Sequence, residues 1–223
     1  MKILFLSPHP DDVEIGCGGT VSRMTREGHD CHLAVVAGVG DLTMAHSGEV
    51  VPFTTRMMEQ NKAASLLGIP EVRYLNVAPA AQMDMQSIGV GVSILDRLFA
   101  TERYDMLFAP LPNHNQDHRF VWKVVMAATR PGRCDRMDVL LYEQPMQFHG
   151  EQLSGQVPSR TYFKLSETDI MAKMVALACH RSQIRGREGT IAGSAILKTL
   201  ARLRGAEIGE DYAEMFHVLR SVK

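Results

Sequence analysis

The sequence has no long hydrophobic run, no excess of either charge and few aromatic residues. Aromatics make up 6% of its 223 residues, and the formal net charge at pH 7 is −1, with a pI near 6.8. A nearly neutral chain has no electrostatic footprint for nucleic acid or for an anionic membrane. No apolar segment approaches the roughly 18 residues that a membrane-spanning helix needs. We therefore expect neither nucleic acid nor a membrane among its partners.

Cysteine is scarce as well. The four cysteines are scattered and form no C-x-x-C pair, at Cys17, Cys31, Cys134 and Cys179. This usage predicts buried or free thiols in a reducing compartment. The first apolar run, of about five residues, is too short for the core of a signal peptide. We therefore expect a cytoplasmic protein.

What is present is ordinary globular composition, with 45% hydrophobic residues, and it predicts one domain over residues 1–223. Short aliphatic runs alternate with helical stretches, which favours an α/β fold with a Rossmann-like, doubly wound, mostly parallel sheet and helices on both faces. Strands are expected at 2–7, 32–37, 72–76, 105–109, 139–142 and 161–165, and helices near 17–27, 53–67, 87–103, 118–129, 167–184 and 190–203.

A strand order of 3-2-1-4-5 would make the first and fourth strands neighbours at the switch point, where ligands bind in such sheets. Residues 143–166 break the alternation of strands and helices. They are expected either to cover the site or simply to connect two elements. The C-terminal part of the chain is expected to be helical.

A dense group of reactive side chains follows the first predicted strand. His9, Asp11 and Asp12 lie where this strand turns into a helix. Adjacent carboxylates repel each other unless a cation or a proton neutralises them. A divalent metal bound by His9 and one aspartate, with the other aspartate moving protons, explains the cluster. The alternative is a turn in which an aspartate caps the helix.

A second polar loop follows the fourth predicted strand and contains His114, Asn115, Asp117 and His118. The doubly wound order makes the two loops adjacent. A His/Asp/His set with an open position is typical of catalytic zinc, although mixed nitrogen and oxygen ligands also suit Fe²⁺, Mn²⁺ or Co²⁺. Taken alone, this loop could serve only helix capping and packing. Two such loops at neighbouring strand ends favour the metal site.

The two clusters resemble the motifs of the PIG-L/LmbE-like family of zinc-dependent de-N-acetylases. Residues 9–14 match the first motif, His-Pro-Asp-Asp-x-Glu, and Asp117-His118-Arg119 matches the second. The similarity covers nearly the whole chain in one register, and its further matches lie at 16–20, 56–68, 142–145, 180–183 and 209–216.

The resemblance implies that His9, Asp12 and His118 hold the metal. It also implies that Asp11 is the general base, and that Glu14 lies behind the ligands.

One position departs from the family pattern. Many members have a histidine three positions before the last ligand, where this sequence has Asn115. Either His114 replaces it, or Asn115 supports the oxyanion while Asp11 makes both proton transfers. An asparagine amide can donate a hydrogen bond but cannot act as an acid. Asp117 is included with these residues in the candidate catalytic set.

Two further residues are candidates for substrate binding. The resemblance suggests that Arg56 positions substrate near the metal. The alternative is a surface ion pair with Glu59, three residues further along the helix. Asp41, after the second strand, could hydrogen-bond a sugar hydroxyl, although the glycines beside it are equally consistent with a plain turn.

The function implied by the resemblance is removal of an N-acetyl group from an N-acetylglucosamine-type sugar or glycoconjugate by metal-activated water. Family members are often trimers or hexamers, so a homo-oligomer is expected. One alternative is the same site acting on another amide, as in a thiol-conjugate amidase. Others are a metal-binding module without turnover and a nucleotide-binding Rossmann-like protein. The nucleotide-binding alternative lacks the G-x-G-x-x-G fingerprint.

Overall fold

The computed structural model of the chain describes residues 1–44, 48–134, 136–145, 159–184 and 193–222. The strands in these ranges are β1 (Lys2–Ser7), β2 (Asp30–Ala37), β3 (Leu42–Thr43), β4 (Val50–Val51), β5 (Val72–Ala78), β6 (Met106–Pro110), β7 (Asp138–Tyr142), β8 (Arg160–Leu165) and β9 (Tyr212–Arg220). The helices are α1 (Asp12–Arg26), α2 (Phe53–Leu66), α3 (Ile88–Thr101), α4 (Gln116–Ala128), α5 (Glu167–Leu177), α6 (Arg181–Ile184) and α7 (Ser194–Ala206).

The described residues form a seven-stranded sheet in the order β5-β2-β1-β6-β7-β9-β8. Neighbouring strands from β5 to β7 are parallel. The predicted order 3-2-1-4-5 is the order of this parallel part and is confirmed. β9 runs antiparallel to both β7 and β8. The short strands β3 and β4 form a separate antiparallel pair.

The central strand β1 is apolar on both faces because helices cover both sides of the sheet. Ile3 and Phe5 pack in the apolar cluster that includes residues of α1 and α2. Leu4 and Leu6 pack on the opposite face, in the cluster that includes residues of α3 and α4. Strand β1 is therefore packed on both faces, and the loop that follows it extends from a well-packed strand end.

The expectation of a helical C-terminal part is correct for α5, α6 and α7 but wrong for β9. The sequence of β9 mixes strand formers with the helix formers Ala213, Glu214 and Met215. Pairing with β7 on one side and β8 on the other decides its conformation. Local sequence preference does not reveal such pairing.

Helix α1 begins at Asp12 rather than near residue 17. The glycines at 16, 18 and 19 weaken the helical pattern of its first turns. Packing requires at least one of them, because a Cβ atom on Gly16 would overlap the ring of Tyr142. The earlier start places Asp12 and Glu14 on the first turn of the helix.

The segment 143–166 is only partly described. Residues 146–158, including His149, lie outside the described residues, and β8 occupies 160–165 as predicted. The covering role of this segment and the single domain over residues 1–223 stay predictions. Across the described ranges, every helix is too short or too polar to cross a bilayer.

Candidate metal centre and active site

Three side chains meet where the carboxyl ends of β1 and β6 lie side by side. His9 follows β1, Asp12 opens α1, and His118 lies in the first turn of α4 after β6. One ligand atom from each can be chosen so that all three lie within 4.8 Å of one another. Asp12 Oδ2 is 3.1 Å from His9 Nδ1, and Asp12 Oδ1 is 3.2 Å from His118 Nε2. Two loops far apart in sequence thus form one group of ligand atoms.

The second ring nitrogen of His9 contacts Asp117. His9 Nε2 lies 2.8 Å from Asp117 Oδ2, and this fully buried carboxylate also accepts the backbone N–H groups of Ala81 and Met83, at 2.5 and 3.1 Å. Burial opposes ionisation of Asp117, but these partners outweigh it and lower its pKa. A carboxylate behind a histidine is the usual support for a metal ligand. Asp117 therefore orients His9, and its place in the catalytic set stays a prediction.

Two amide side chains that the sequence did not single out contact the other two candidate ligands. Gln144, just after β7, donates from Nε2 to Asp12 Oδ1 at 2.7 Å. The amide of Asn113 lies 3.1 Å from His118 Nδ1. Both side chains are buried. Their only sequence signal is position, since each lies just beyond the carboxyl end of a parallel strand.

Asp11 has an unusual backbone conformation. Its φ is 105° and its ψ is −25°, in the left-handed region that non-glycine residues rarely adopt. Such conformations cost about 1–3 kcal/mol and persist only where the surroundings fix them. The Asp11 N–H donates to Gln60 Oε1 of α2 at 3.0 Å. A buried side chain from another helix therefore helps to hold this conformation.

The titratable groups of the cluster have strongly shifted pKa values. Burial and the charge of Asp12 raise the pKa of Asp11 to about 7. Burial also opposes ionisation of Asp12, but His118 and His9 outweigh it and hold the pKa of Asp12 well below its ordinary value. Burial opposes protonation of His9, yet its bonds to Asp117 and Asp12 raise its pKa to about 9. The two adjacent carboxyls thus differ sharply in proton affinity.

Arg56 is buried, with 1% of its surface exposed. Its Nε and Nη1 atoms have no hydrogen-bond partner among the described residues. Burial lowers its pKa, while Asp11 and Asp12 oppose that change. The predicted alternative of a surface ion pair with Glu59 is wrong, because Arg56 is not at the surface and Glu59 accepts two hydrogen bonds from Ser182.

The remaining candidates lie in other settings. Asn115 is the N-cap of α4, and its Oδ1 accepts the Asp117 N–H at 2.9 Å, so the capping alternative holds for this residue. His114 is exposed, and its carbonyl accepts a bond from Arg119. Asp41 is exposed and accepts the backbone N–H of Phe53 at the start of α2 at 3.3 Å. The catalytic and substrate-binding roles of these three residues stay predictions.

The fold and the cluster together define an α/β protein with a candidate metal centre at the switch point of a parallel sheet. The family model for PIG-L, described as GlcNAc-PI de-N-acetylase, matches residues 4–129. The diacetylchitobiose deacetylase of Thermococcus kodakarensis is 34% identical over 226 residues, which cover 96% of this chain and 81% of that protein. The chain belongs to the PIG-L family.

Solved structures agree with this fold. A conserved protein from Thermus thermophilus superposes with a TM-score of 0.75 at 24% identity, covering 100% of this chain and 96% of that one. The zinc-inhibited form of the teicoplanin deacetylase Orf2 gives a TM-score of 0.81 at 14% identity, covering 99% of both chains. These structures confirm the predicted fold class, whereas the family model and the 34% identical relative confirm the predicted family and the deacetylase class of the enzyme.

Proposed function

We propose that this chain is a metal-dependent N-deacetylase that hydrolyses the acetamide of an N-acetylglucosamine-type sugar, releasing acetate and a free amine. The observation that carries the proposal is the convergence of His9, Asp12 and His118 within 4.8 Å. Asp11 immediately precedes Asp12 in the chain and supplies a further carboxyl group, which is not one of the three proposed metal ligands. Hydrolysis of an amide by activated water requires residues that bind the metal and a separate base beside them that accepts a proton from the water.

The residues fit a divalent ion. Two imidazoles and one carboxylate are a donor set typical of catalytic zinc, and Fe²⁺, Mn²⁺ and Co²⁺ accept the same donors. The supporting contacts of Asp117 to His9 and of Gln144 to Asp12 orient two of the ligands. We propose zinc as the native ion. When bound, it supplies Lewis acidity toward a carbonyl oxygen and lowers the pKa of water.

The protein's own groups would divide the remaining work. Asp11 takes the proton of the attacking water, because its carboxyl lies beside the ligands and holds a proton more readily than Asp12 does. Arg56 offers two unpartnered buried nitrogens, Nε and Nη1, as hydrogen-bond donors to polar atoms of the substrate. His114 or Asp11 returns a proton to the leaving amine, since the amide of Asn115 can only donate a hydrogen bond to the oxyanion.

For the substrate, we propose a small N-acetylated sugar or glycoconjugate. The 34% identical relative is named for its action on diacetylchitobiose, and it aligns over 96% of this chain. We also retain the cytoplasmic location and the trimeric or hexameric assembly as proposals.

The test is acetate release by zinc-loaded protein from diacetylchitobiose and from N-acetylglucosamine. Acetate and primary amine should form in equal amounts, chelation should abolish their formation, and zinc should restore it. The control is the same preparation carrying His118→Ala. Stoichiometric metal without acetate from any acetamido sugar would support the metal-binding module instead.

A further inference from the structure

A line of buried polar side chains lies behind Asp11. Gln60 of α2, Glu14 of α1 and His180, between α5 and α6, are all fully buried. Gln60 Nε2 donates to Glu14 Oε1 at 2.7 Å, and Gln60 Oε1 accepts the Asp11 N–H at 3.0 Å. One amide side chain therefore links a helix carboxylate to the backbone of the proposed base.

The position of this link matters because Asp11 is the N-cap of α1. The first N–H groups of a helix have no partner inside it. At Asp11 that N–H belongs to a residue in a left-handed conformation, which neighbouring groups must maintain. Gln60 supplies the partner from outside α1. The direction in which the Asp11 carboxyl leaves the backbone thus depends on a residue 49 positions away.

Glu14 is held from a second side. Its Oε2 atom and both ring nitrogens of His180 have no hydrogen-bond partner among the described residues. Glu14 Oε2 lies 3.5 Å from His180 Nε2. A buried carboxylate is costly unless a charge of opposite sign lies close to it, and the imidazole can carry that charge. His180 therefore fixes the Glu14 end of the link.

We propose that Gln60 is a positioning residue for Asp11, with the Glu14–His180 pair as its anchor. The side chain of Gln60 bonds to the Asp11 N–H and to Glu14 Oε1, so it acts through the backbone of the base. The catalytic consequence rests on the proposed deacetylase function. The geometric part, which is the hydrogen bond from the Asp11 N–H to Gln60 Oε1, does not depend on that function and can be measured separately.

The first measurement is amide hydrogen exchange by NMR on zinc-loaded native protein. The Asp11 amide should exchange on the order of 100-fold more slowly than an unprotected amide, although it lies outside the helical hydrogen-bond ladder. Gln60→Leu, which removes both hydrogen bonds at similar volume, should raise that rate by on the order of tenfold or more. Free exchange of the Asp11 amide in the native protein would overturn the proposal without any variant.

The second measurement is steady-state kinetics with diacetylchitobiose. Gln60→Leu should lower kcat by on the order of 10- to 100-fold, with KM and zinc stoichiometry close to native, because misplacing a base affects the chemical step. The matched control is Ser182→Ala, which removes an α2–α6 hydrogen bond to Glu59 but leaves the link to Asp11 intact. It should keep native kcat and native Asp11 exchange.

Three results for Gln60→Leu would overturn the positioning role of Gln60: loss of zinc, a rise in KM alone, or a native kcat. If Gln60→Leu does not fold, native Asp11 exchange still decides the geometric part. Native protein that binds zinc and protects Asp11, yet releases no acetate, would contradict the proposed function and leave the geometric link standing.

Discussion

At the scale of single residues, Asp11 and Asp12 are neighbours in the chain with opposite surroundings. Asp12 contacts two histidines and the amide of Gln144. The backbone N–H of Asp11 donates to Gln60, and burial together with the repulsion of Asp12 favours the protonated form of the Asp11 carboxyl. Two carboxyls whose environments separate their proton affinities commonly divide the roles of ligand and acid–base group.

Asp11→Asn tests this division directly. The substitution keeps side-chain volume and leaves the three ligands in place, so zinc should remain bound at native stoichiometry. Because the base is lost, kcat should fall by about 100- to 10,000-fold. Metal analysis together with acetate release measures both effects. His118→Ala is the matched opposite, since it should lose zinc as well as activity. Near-native turnover of Asp11→Asn would show that another group is the base.

Arg56→Lys tests whether the buried guanidinium binds substrate. Lysine keeps the positive charge but lacks the planar set of donors. If Arg56 Nε and Nη1 bond to substrate, KM for diacetylchitobiose should rise about tenfold or more, which corresponds to a lost hydrogen bond of a charged group. Zinc binding should not change. Met57→Leu on the same helix is the control, and an unchanged KM in Arg56→Lys would remove Arg56 from the substrate site.

At the scale of elements, the sequence reveals what depends on local pattern. The aliphatic runs of β1 and β6 predict buried parallel strands, and both form as expected. The start of α1 and the strand β9 are not predicted, for one common reason. Gly16 suits α1 only because the Tyr142 ring occupies the space beside it, and β9 is a strand because two neighbours pair with it. Both causes are tertiary contacts, which the local sequence pattern does not reveal.

Gly16→Ala should therefore destabilise the protein. An alanine Cβ would overlap the buried Tyr142 ring, whose hydroxyl donates to the Leu6 carbonyl at 3.0 Å. We expect a loss of about 1–3 kcal/mol in the free energy of unfolding, measured in urea. Gly89→Ala in α3 is the control, because its Cβ would meet only Ser87 Oγ, at 3.4 Å. That variant should be neutral or gain about 0.5–1 kcal/mol.

The capping box of α5 predicts a pH dependence of stability. Asp169 is fully buried and accepts bonds from the Ser166 backbone and hydroxyl at 3.0 and 2.6 Å, and from Arg26 at 3.0 Å. Burial opposes its ionisation, but Ser166 and Arg26 outweigh burial and lower its pKa below 3.8. A lowered folded-state pKa contributes stability above the unfolded value, and the contribution is lost as pH falls through the folded value.

Asp169→Asn should accordingly lower the free energy of unfolding by about 1–3 kcal/mol near neutral pH. The difference from native protein should stay constant down to about pH 5 and shrink below about pH 4. Urea titrations across this range measure it. The exposed Asp84→Asn is the control and should change stability by less than about 0.5 kcal/mol at any pH. A difference that does not depend on pH would argue against the ionised capping contact.

At the scale of the whole molecule, the candidate metal ligands could be predicted from the sequence, but the two glutamines that contact the cluster could not. The strand order predicts that the two loops are adjacent, and the resemblance to the PIG-L family implies that His9, Asp12 and His118 are the ligands. Gln60 and Gln144 reach the cluster from α2 and from the end of β7. Neither glutamine has a pattern that sets it apart, because its role depends on how two distant elements pack. Local chemistry indicates the candidate ligands and base, whereas packing determines which side chains orient them.

The same assembly of distant elements predicts that zinc stabilises the entire fold. The ligands come from two loops that the unfolded chain does not hold together, so zinc should bind the folded state preferentially. With free zinc at about 100 to 1,000 times its Kd, the free energy of unfolding should rise by about 3–4 kcal/mol, seen as a higher Tm in calorimetry. His118→Ala should keep the Tm of metal-free native protein and lose the response to zinc. An equal rise in Tm for His118→Ala would place the stabilising zinc at some other group of residues.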